Sequence, residues 1–290
     1  MKGFLLVLLV LPVIAAAPAI SPTTEVTPLK DNKIVIASFN IIHFNENRQN
    51  VSMVAKVIAN FDLCGIVELE TVEVMEMLDA ELESITGESW DFVASPETGR
   101  GKKIERFAYI WRSAKVRLNG EAYNLPDKED IYCNEPYVAY FKSGNFDFGC
   151  VLVHVLWFPP HKKAAEARRL AVDFKNMFDT GSEKDLILMG DFNYNHDHKK
   201  MGDIGALKGI VKIEPRGVRT RVGKHGEMED QSIDHIFVFN TTVEWTKESG
   251  AFYFVPVLYE NKTDWSKAYN EVSDHLPVWA AFSTDLGDDD

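Results

Sequence analysis

The chain has 290 residues, 46% of them hydrophobic, enough for one large domain with a sizeable core. No low-complexity linker, composition break or internal repeat divides it. A formal net charge of −13 excludes a broad electrostatic grip on a polyanion, though not a locally basic groove.

The N-terminal stretch is set aside from the fold. Lys2 precedes the apolar run Phe4 to Ile14, and Ala15, Ala17 and Ala19 follow. A charged start, a short apolar core and small residues form the pattern of an export signal, with cleavage after Ala17 or Ala19. The run is too short for a spanning helix, and no later stretch is apolar enough for one. Residues 1–19 are therefore expected to be a signal peptide, 20–32 an extended leader, 33–284 the folded domain and 285–290 an acidic tail. The mature protein is expected to be secreted or periplasmic, soluble, monomeric and without stable membrane association.

In chain order, Ile34 to Ile41 reads as a β-branched strand with one amide, Asn40, near its end. Val51, Val54, Ile58 and Phe61 recur at helical spacing. Leu63 to Val67 is a second apolar strand that runs straight into Glu68. Val74, Met77, Leu78 and Ile85 give the next helix, with that stripe expected in the core. Trp90 to Ala94 and Phe107 to Trp111 read as strands, the latter preceded by Glu105. Val116 to Asn124, Tyr137 to Lys142 and Phe146 to Leu156 read likewise, and His154 sits in the last. Pro159 and Pro160 end that segment, and Lys163 to Asp179 is helical. Leu186 to Met189 is a short apolar run, as expected of a strand buried on both faces. It exits through Gly190, Asp191 and Asn193. Ile233 to Phe239 is again a strand, with Asp234 at its start. Trp265 to Val272 reads as a short helix, followed by Ser273-Asp274-His275 and a final strand through Phe282.

Some of these strands have helices between them and others do not. That mixture predicts an α/β fold, a sandwich of two sheets with helices outside. Ligands in layered folds gather at strand ends.

Several features have an ordinary reading beside a functional one. Gly190-Asp191-x-Asn193 alone is equally an Asx turn closing a strand. If the segment stays extended, positions i and i+2 point one way, and a carboxylate and an amide suit a magnesium ion or a phosphate. A lone histidine on an apolar strand, as at His154, is ordinarily a core residue. The basic clusters Arg100–Lys102–Lys103–Arg106, Lys162–Lys163–Arg168–Arg169 and Arg216–Arg219–Arg221–Lys224 are each as readily a solvated face. His196 and His198 read as part of a solvated loop. Of the three cysteines, Cys64 reads as a buried thiol, Cys133 and Cys150 flank a strand pair that a disulfide could bridge, and no spacing suggests zinc.

Collected, the polar residues at apolar strand ends are Asn40, Glu68, Glu105, His154, Asp191, Asn193, Asp234, Asp274 and His275. The set holds acids, amides and two histidines, with no nucleophilic Ser or Cys. It suits metal-assisted attack of water on a phosphodiester, which needs a hard cation, a base and an acid.

With these residues in place, the chain resembles the endonuclease/exonuclease/phosphatase family, the superfamily of DNase I and the abasic-site exonucleases. The matching motifs, in the family's order, are Ser38-Phe39-Asn40-Ile41, Ile66-Val67-Glu68, Glu105-Arg106-Phe107-Ala108-Tyr109, His154 with Ala165-Glu166-Ala167-Arg168, Gly190-Asp191-Phe192-Asn193, Ile233-Asp234-His235-Ile236 and Ser273-Asp274-His275. They span about residues 33 to 283, the secreted, DNase I-like bacterial members fit best, and the resemblance implies an α/β fold built as a four-layer α/β/β/α sandwich of two mainly antiparallel sheets. The resemblance implies Glu68 as main ligand of Mg²⁺ (with Mn²⁺ or Ca²⁺ as alternatives), helped by Asn40 or Asp274. It implies that Asp191 and Asn193 hold the scissile phosphate or a second metal. His154 with Glu105, and His275 with Asp234, become the general acid and base, in either order. Arg106, Arg168 and Asn193 become substrate contacts, and the partner a nucleic acid, DNA before RNA. Val67 departs from the pattern, since a glutamine is common there. Two other readings stand beside the nuclease: a sphingomyelinase-like lipid phosphodiesterase docking through Trp157-Phe158-Pro159-Pro160, and a catalytically silent binding module.

Overall fold

The computed structural model describes residues 32–100, 103–195, 198, 201–213 and 217–287. The expected signal peptide, most of the expected leader, Lys102, His196, Arg216 and the last three aspartates lie outside the described residues. In chain order the elements begin with β1 (Lys33–Phe44), α1 (Val51–Ile58), β2 (Leu63–Leu69) and α2 (Glu73–Thr86). Next come β3 (Trp90–Ala94), β4 (Thr98–Arg100), β5 (Lys103–Arg112), β6 (Arg117–Leu118), β7 (Tyr123–Asn124), β8 (Tyr137–Ser143) and β9 (Phe146–His154). They are followed by α3 (Pro160–Thr180), β10 (Leu186–Asp191), α4 (Met201–Gly205), β11 (Ile210–Lys212), β12 (Asp234–Phe239) and β13 (Trp245–Ala251). The chain closes with α5 (Val255–Leu258), α6 (Trp265–Glu271) and β14 (Val278–Ser283).

The strands form two sheets. One has the order β13-β14-β1-β2-β5-β3 with β4 on β5, and the other β11-β12-β10-β9-β8-β6 with β7 on β8. Each sheet holds a single parallel pair among its described strands, β1 with β2 and β9 with β10, and the other pairs are antiparallel. A parallel pair needs a crossover, which α1 supplies in the first sheet and α3 in the second. Apolar residues on both faces of these central strands follow from that: one face meets the helices, the other the opposite sheet. Three core clusters result. One lies between the sheets, and one lies under the helices on each outer face. Tyr109 of β5 stacks on Tyr137 of β8 with centroids 5.5 Å apart and donates its hydroxyl hydrogen to the Tyr137 carbonyl at 2.9 Å, tying sheet to sheet. No helix among the described residues is long and apolar enough to cross a membrane.

Three expectations are corrected. Met77 and Ile85 are exposed, and the buried stripe of α2 is Val74, Met75, Leu78 and Leu82. Those four positions keep one face turned to the sheet, whereas Met77 and Ile85 fall beside it. The stretch Val116 to Asn124 is not one strand but the short β6 and β7, each pairing separately with β8. Cys133 and Cys150 do not pair: all three cysteines are free thiols. Cys150 points into the core between the sheets, while Cys133 sits outside the second sheet beside Glu166 and Arg100.

Candidate active site

One rule of chain direction places the polar residues. Strands running toward one edge of the double sheet contribute from their ends, and strands running away from it contribute from their starts. Asn40 and Glu68 lie late in β1 and β2, and His154 and Asp191 are the last residues of β9 and β10. Glu105 lies early in β5, Asp234 begins β12, and Asp274 and His275 precede β14. Asp191 is the register partner of both His154 and Asp234.

Local backbone features aim these groups. The β1–β2 register shifts between Asn40 and Phe44, and the β2–β5 register shifts between Ile66 and Leu69. Such irregularities re-aim a side chain at the end of a ladder. Glu68 takes a φ of +64° and His43 one of +53°, unusual for residues with a Cβ. Gly190, with φ +141°, has no alternative, since a Cβ there would stand 2.0 Å from the Val153 carbonyl oxygen on β9. Asn193 also has positive φ, +54°, so it leaves the extended line that its spacing from Asp191 predicted. Its backbone N–H donates to Asp191 Oδ1 at 2.7 Å, and its side-chain amide donates to the Val155 carbonyl at 2.9 Å. The Asx turn and the cleft position therefore coexist.

The cleft has a volume of about 520 Å³. His154 Nδ1 is 2.7 Å from Glu105 Oε1, and His275 Nδ1 is 2.9 Å from Asp234 Oδ2. The Nε2 atoms of both rings stand 3.8 Å from Asp191 Oδ2. His154 Nε2 is also 3.7 Å from Glu68 Oε1. The Asn40 amide donates to Glu68 Oε1 at 2.9 Å and to Asp191 Oδ2 at 3.1 Å, bridging the two sheets. Ser273 donates its hydroxyl hydrogen to the Asn40 carbonyl at 2.7 Å and accepts from the His275 N–H at 3.0 Å.

The electrostatics follow from burial opposed by pairing. Burial disfavours the imidazolium of His154, but Glu105, Glu68 and Asp191 outweigh it and raise its pKa well above 6.5. His275 is likewise penalised by burial, yet Asp234, Asp191 and Asp274 raise it to about 9. Burial, then Asp234, raises the Asp191 carboxyl against the pull of both histidines. Burial would raise Glu68 too, but His154, the Asn40 amide and His275 bring it below the ordinary carboxylate value.

The oxygen donors fit a small hard cation. The Glu68 carboxylate lines the cleft, and Asn40 Oδ1 and Asp274 Oδ1 are buried with no hydrogen-bond partner. Buried polar atoms are rarely left that way without something to bind, and oxygen ligands of this kind suit Mg²⁺, Mn²⁺ or Ca²⁺. Glu68, His154 and Asp191 form one group whose ligand atoms cluster, and Asp191, Asp234 and His275 form another.

Two expected contacts are not brought to the cleft. Arg106 turns to Glu97 at 3.0 Å and to the Ser95 carbonyl at 3.2 Å, on the face of β5 opposite Glu105. Arg168 is exposed on α3. The arginine lining the cleft is Arg221, in sequence one member of a basic cluster that reads as readily as a solvated face. The segment Thr220–Val222 pairs with Asp274–Leu276 through Leu276 N–H to the Thr220 carbonyl (2.9 Å) and Val222 N–H to the Asp274 carbonyl (2.8 Å). This sets Arg221 Nη1 3.1 Å from His275 Nε2 and Nη2 2.9 Å from Asp274 Oδ2. A guanidinium only donates, so a proton and Arg221 compete for the same lone pair of His275. His43 was also missed: it lines the cleft and pairs with Glu70 at 2.9 Å.

The chain is similar to a protein named deoxyribonuclease from Thioalkalivibrio sp. (strain K90mix), 29% identical over 256 residues that cover 85% of this chain and 70% of the relative. It is 24% identical over 260 residues to the mouse (Mus musculus) protein deoxyribonuclease-1-like 2, covering 86% of this chain and 91% of that one. Its fold is similar to a crystal structure of an endonuclease/exonuclease/phosphatase from Bacteroides vulgatus, with a TM-score of 0.63 at 16% identity, covering 87% and 98% of the two chains. The model of the endonuclease/exonuclease/phosphatase family matches residues 37–275, a span that holds both histidine–carboxylate pairs and the acids between them, and the chain belongs to that family.

Proposed function

We propose that this protein is an exported endonuclease that hydrolyses DNA phosphodiesters, with RNA as a second substrate, in a reaction that depends on a divalent cation. One observation carries the reading: two imidazoles, each backed by a carboxylate, flank Asp191 in a cleft where no Ser, Thr, Cys or Lys is among the described lining residues. Without a side-chain nucleophile, water is the attacking group. The deoxyribonuclease relatives favour DNA as the ester.

Each carboxylate fixes the tautomer of its imidazole through Nδ1 and leaves Nε2 for proton transfer. Arg221 competes with a proton for His275 Nε2 against the acids that raise its pKa to about 9, and the unprotonated imidazole takes the proton of the attacking water. His154, surrounded by Glu105, Glu68 and Asp191, carries a proton at Nε2 and delivers it to the leaving O3′. Arg221 and Asn193 position the scissile phosphate at the cleft wall, and Asp191 holds both rings in register. Glu68, with Asn40 and Asp274, would hold Mg²⁺ or a similar cation, which when bound polarises the phosphoryl oxygens.

The test is a plasmid assay. Supercoiled DNA with Mg²⁺ is nicked, and EDTA abolishes the nicking. Intact plasmid together with choline-phosphate release from sphingomyelin would replace the nuclease by the lipid phosphodiesterase. Export through residues 1–19 is tested by N-terminal sequencing of protein recovered outside the expressing cell. A mature start at Pro18 or Ile20 is the expected result.

A further inference from the structure

The segment between β9 and α3 carries the two most exposed large hydrophobic side chains described, Trp157 at 71% and Phe158 at 63% exposure. Neither belongs to a core cluster. Their rings are tilted 49° with centroids 6.3 Å apart. Trp157 lines the catalytic cleft, and Phe158 lines a second cavity of about 400 Å³, within the range of pockets that hold small organic groups. The two residues thus form a step from one cavity to the next, three residues after His154.

The second cavity has a chemistry of its own. Glu166, almost fully buried, lies in its wall and accepts from the N–H groups of Leu156 (2.6 Å) and Cys133. Arg100 is already held by Asp130 and the Tyr132 carbonyl, so its charge is matched within the wall. Lys162 is exposed at the rim. A buried carboxylate disfavours an anion and favours a flat, largely apolar group bearing N–H donors, with any phosphate left outside near Lys162.

We propose that Trp157 and Phe158 are a stacking step that takes an unstacked nucleobase neighbouring the scissile phosphate and seats it in the Glu166 cavity. This deepens the nuclease reading and rests on it. A base in a continuous duplex must be unstacked to enter, and that cost is least in single-stranded or frayed DNA. The enzyme therefore prefers such DNA to intact duplex. An aromatic platform gains affinity from any base, so the step confers strand preference without sequence preference. A membrane is the less suitable occupant. The two rings bridge the catalytic cleft and the Glu166 cavity rather than crown a hairpin.

The experiment compares kcat/KM for a single-stranded oligonucleotide, the same sequence as duplex, and a simple diester with neither base nor aromatic ring, a propanediol-phosphate oligomer. Trp157→Ala and Phe158→Ala are each expected to lower the oligonucleotide-to-simple-diester ratio about 5- to 100-fold, mainly through KM, the range for losing a stacked base. Trp157→Tyr, which keeps a ring, retains most of the ratio. Wild type favours single strand over duplex, and the alanine variants lose that preference. An unchanged ratio overturns the stacking step and leaves the nuclease reading standing. If wild type cleaves the simple diester but no oligonucleotide, the nuclease reading fails. The step is then judged by tryptophan fluorescence, where quenching by oligonucleotide that does not depend on Trp157 overturns it. Loss of sphingomyelin-vesicle binding in Trp157→Ala with an intact oligonucleotide ratio also overturns it, in favour of a membrane surface.

Discussion

His154 and Asp191 are register partners on neighbouring parallel strands, and the imidazole Nε2 of the first stands 3.8 Å from the carboxylate Oδ2 of the second. Both strands run the same way and finish together, so their last residues lie side by side. In the first sheet the parallel strands β1 and β2 bring Asn40, in register with Val67, to a 2.9 Å hydrogen bond with the next residue, Glu68. The two parallel pairs meet across the sandwich, which is why an acid-rich cluster forms at one edge.

Replacing either cleft histidine removes a proton-transfer group and leaves its partner carboxylate buried. His154→Ala and His275→Ala are expected to reduce kcat on DNA about 10²- to 10⁴-fold. A rate within a few-fold of wild type, with circular dichroism confirming the fold, would remove that residue from the reaction.

Glu68→Gln keeps the shape of the side chain but loses its charge. Mg²⁺ affinity, read by calorimetric titration and by the midpoint of activity against Mg²⁺, is expected to weaken about tenfold or more. An unchanged titration would move the ligand role to Asp191 or Asp274.

Arg221 makes two contacts of different kinds, to His275 and to Asp274. Arg221→Ala is expected to raise KM for DNA and to shift the kcat–pH profile, because His275 Nε2 loses its donor. Arg221→Lys should recover little, since an ammonium does not reproduce a planar two-armed contact. Full recovery by lysine would show that only the charge matters.

The pKa of His275, about 9, lies above its ordinary 6.5. A raised folded-state value means that the stabilisation is complete below about 6.5 and is lost as pH rises through about 9. His154, whose pKa is also raised well above 6.5, acts in the same direction. The metal-free protein in EDTA is therefore expected to lose Tm between pH 7 and 10, and His275→Gln should flatten that slope. A Tm that holds or rises across this window, measured by scanning calorimetry, would refute the assignment.

Elements that bury a periodic apolar face were legible in the amino-acid order. The strand cores of β1, β2, β9, β10 and β12 and the helices α1 to α3 follow from runs and stripes whose burial drives them together. The carboxylates, amides and histidines at the ends of those runs were legible too, because a polar group at the edge of an apolar strand needs a partner. The edge strand β13, with Lys247 and Glu248 exposed, carries too little apolar signal to be seen from sequence. Neighbourhood across the sheets was settled by folding alone. Whether Cys150 meets Cys133, whether Met75 or Met77 faces the core, and which of several arginines reaches His275 depend on strand order and helix rotation. Arg221 and Arg106 look alike as members of basic clusters. Only the pairing of Thr220–Val222 with Asp274–Leu276 carries the first into the cleft, while the alternation of β5 turns the second away.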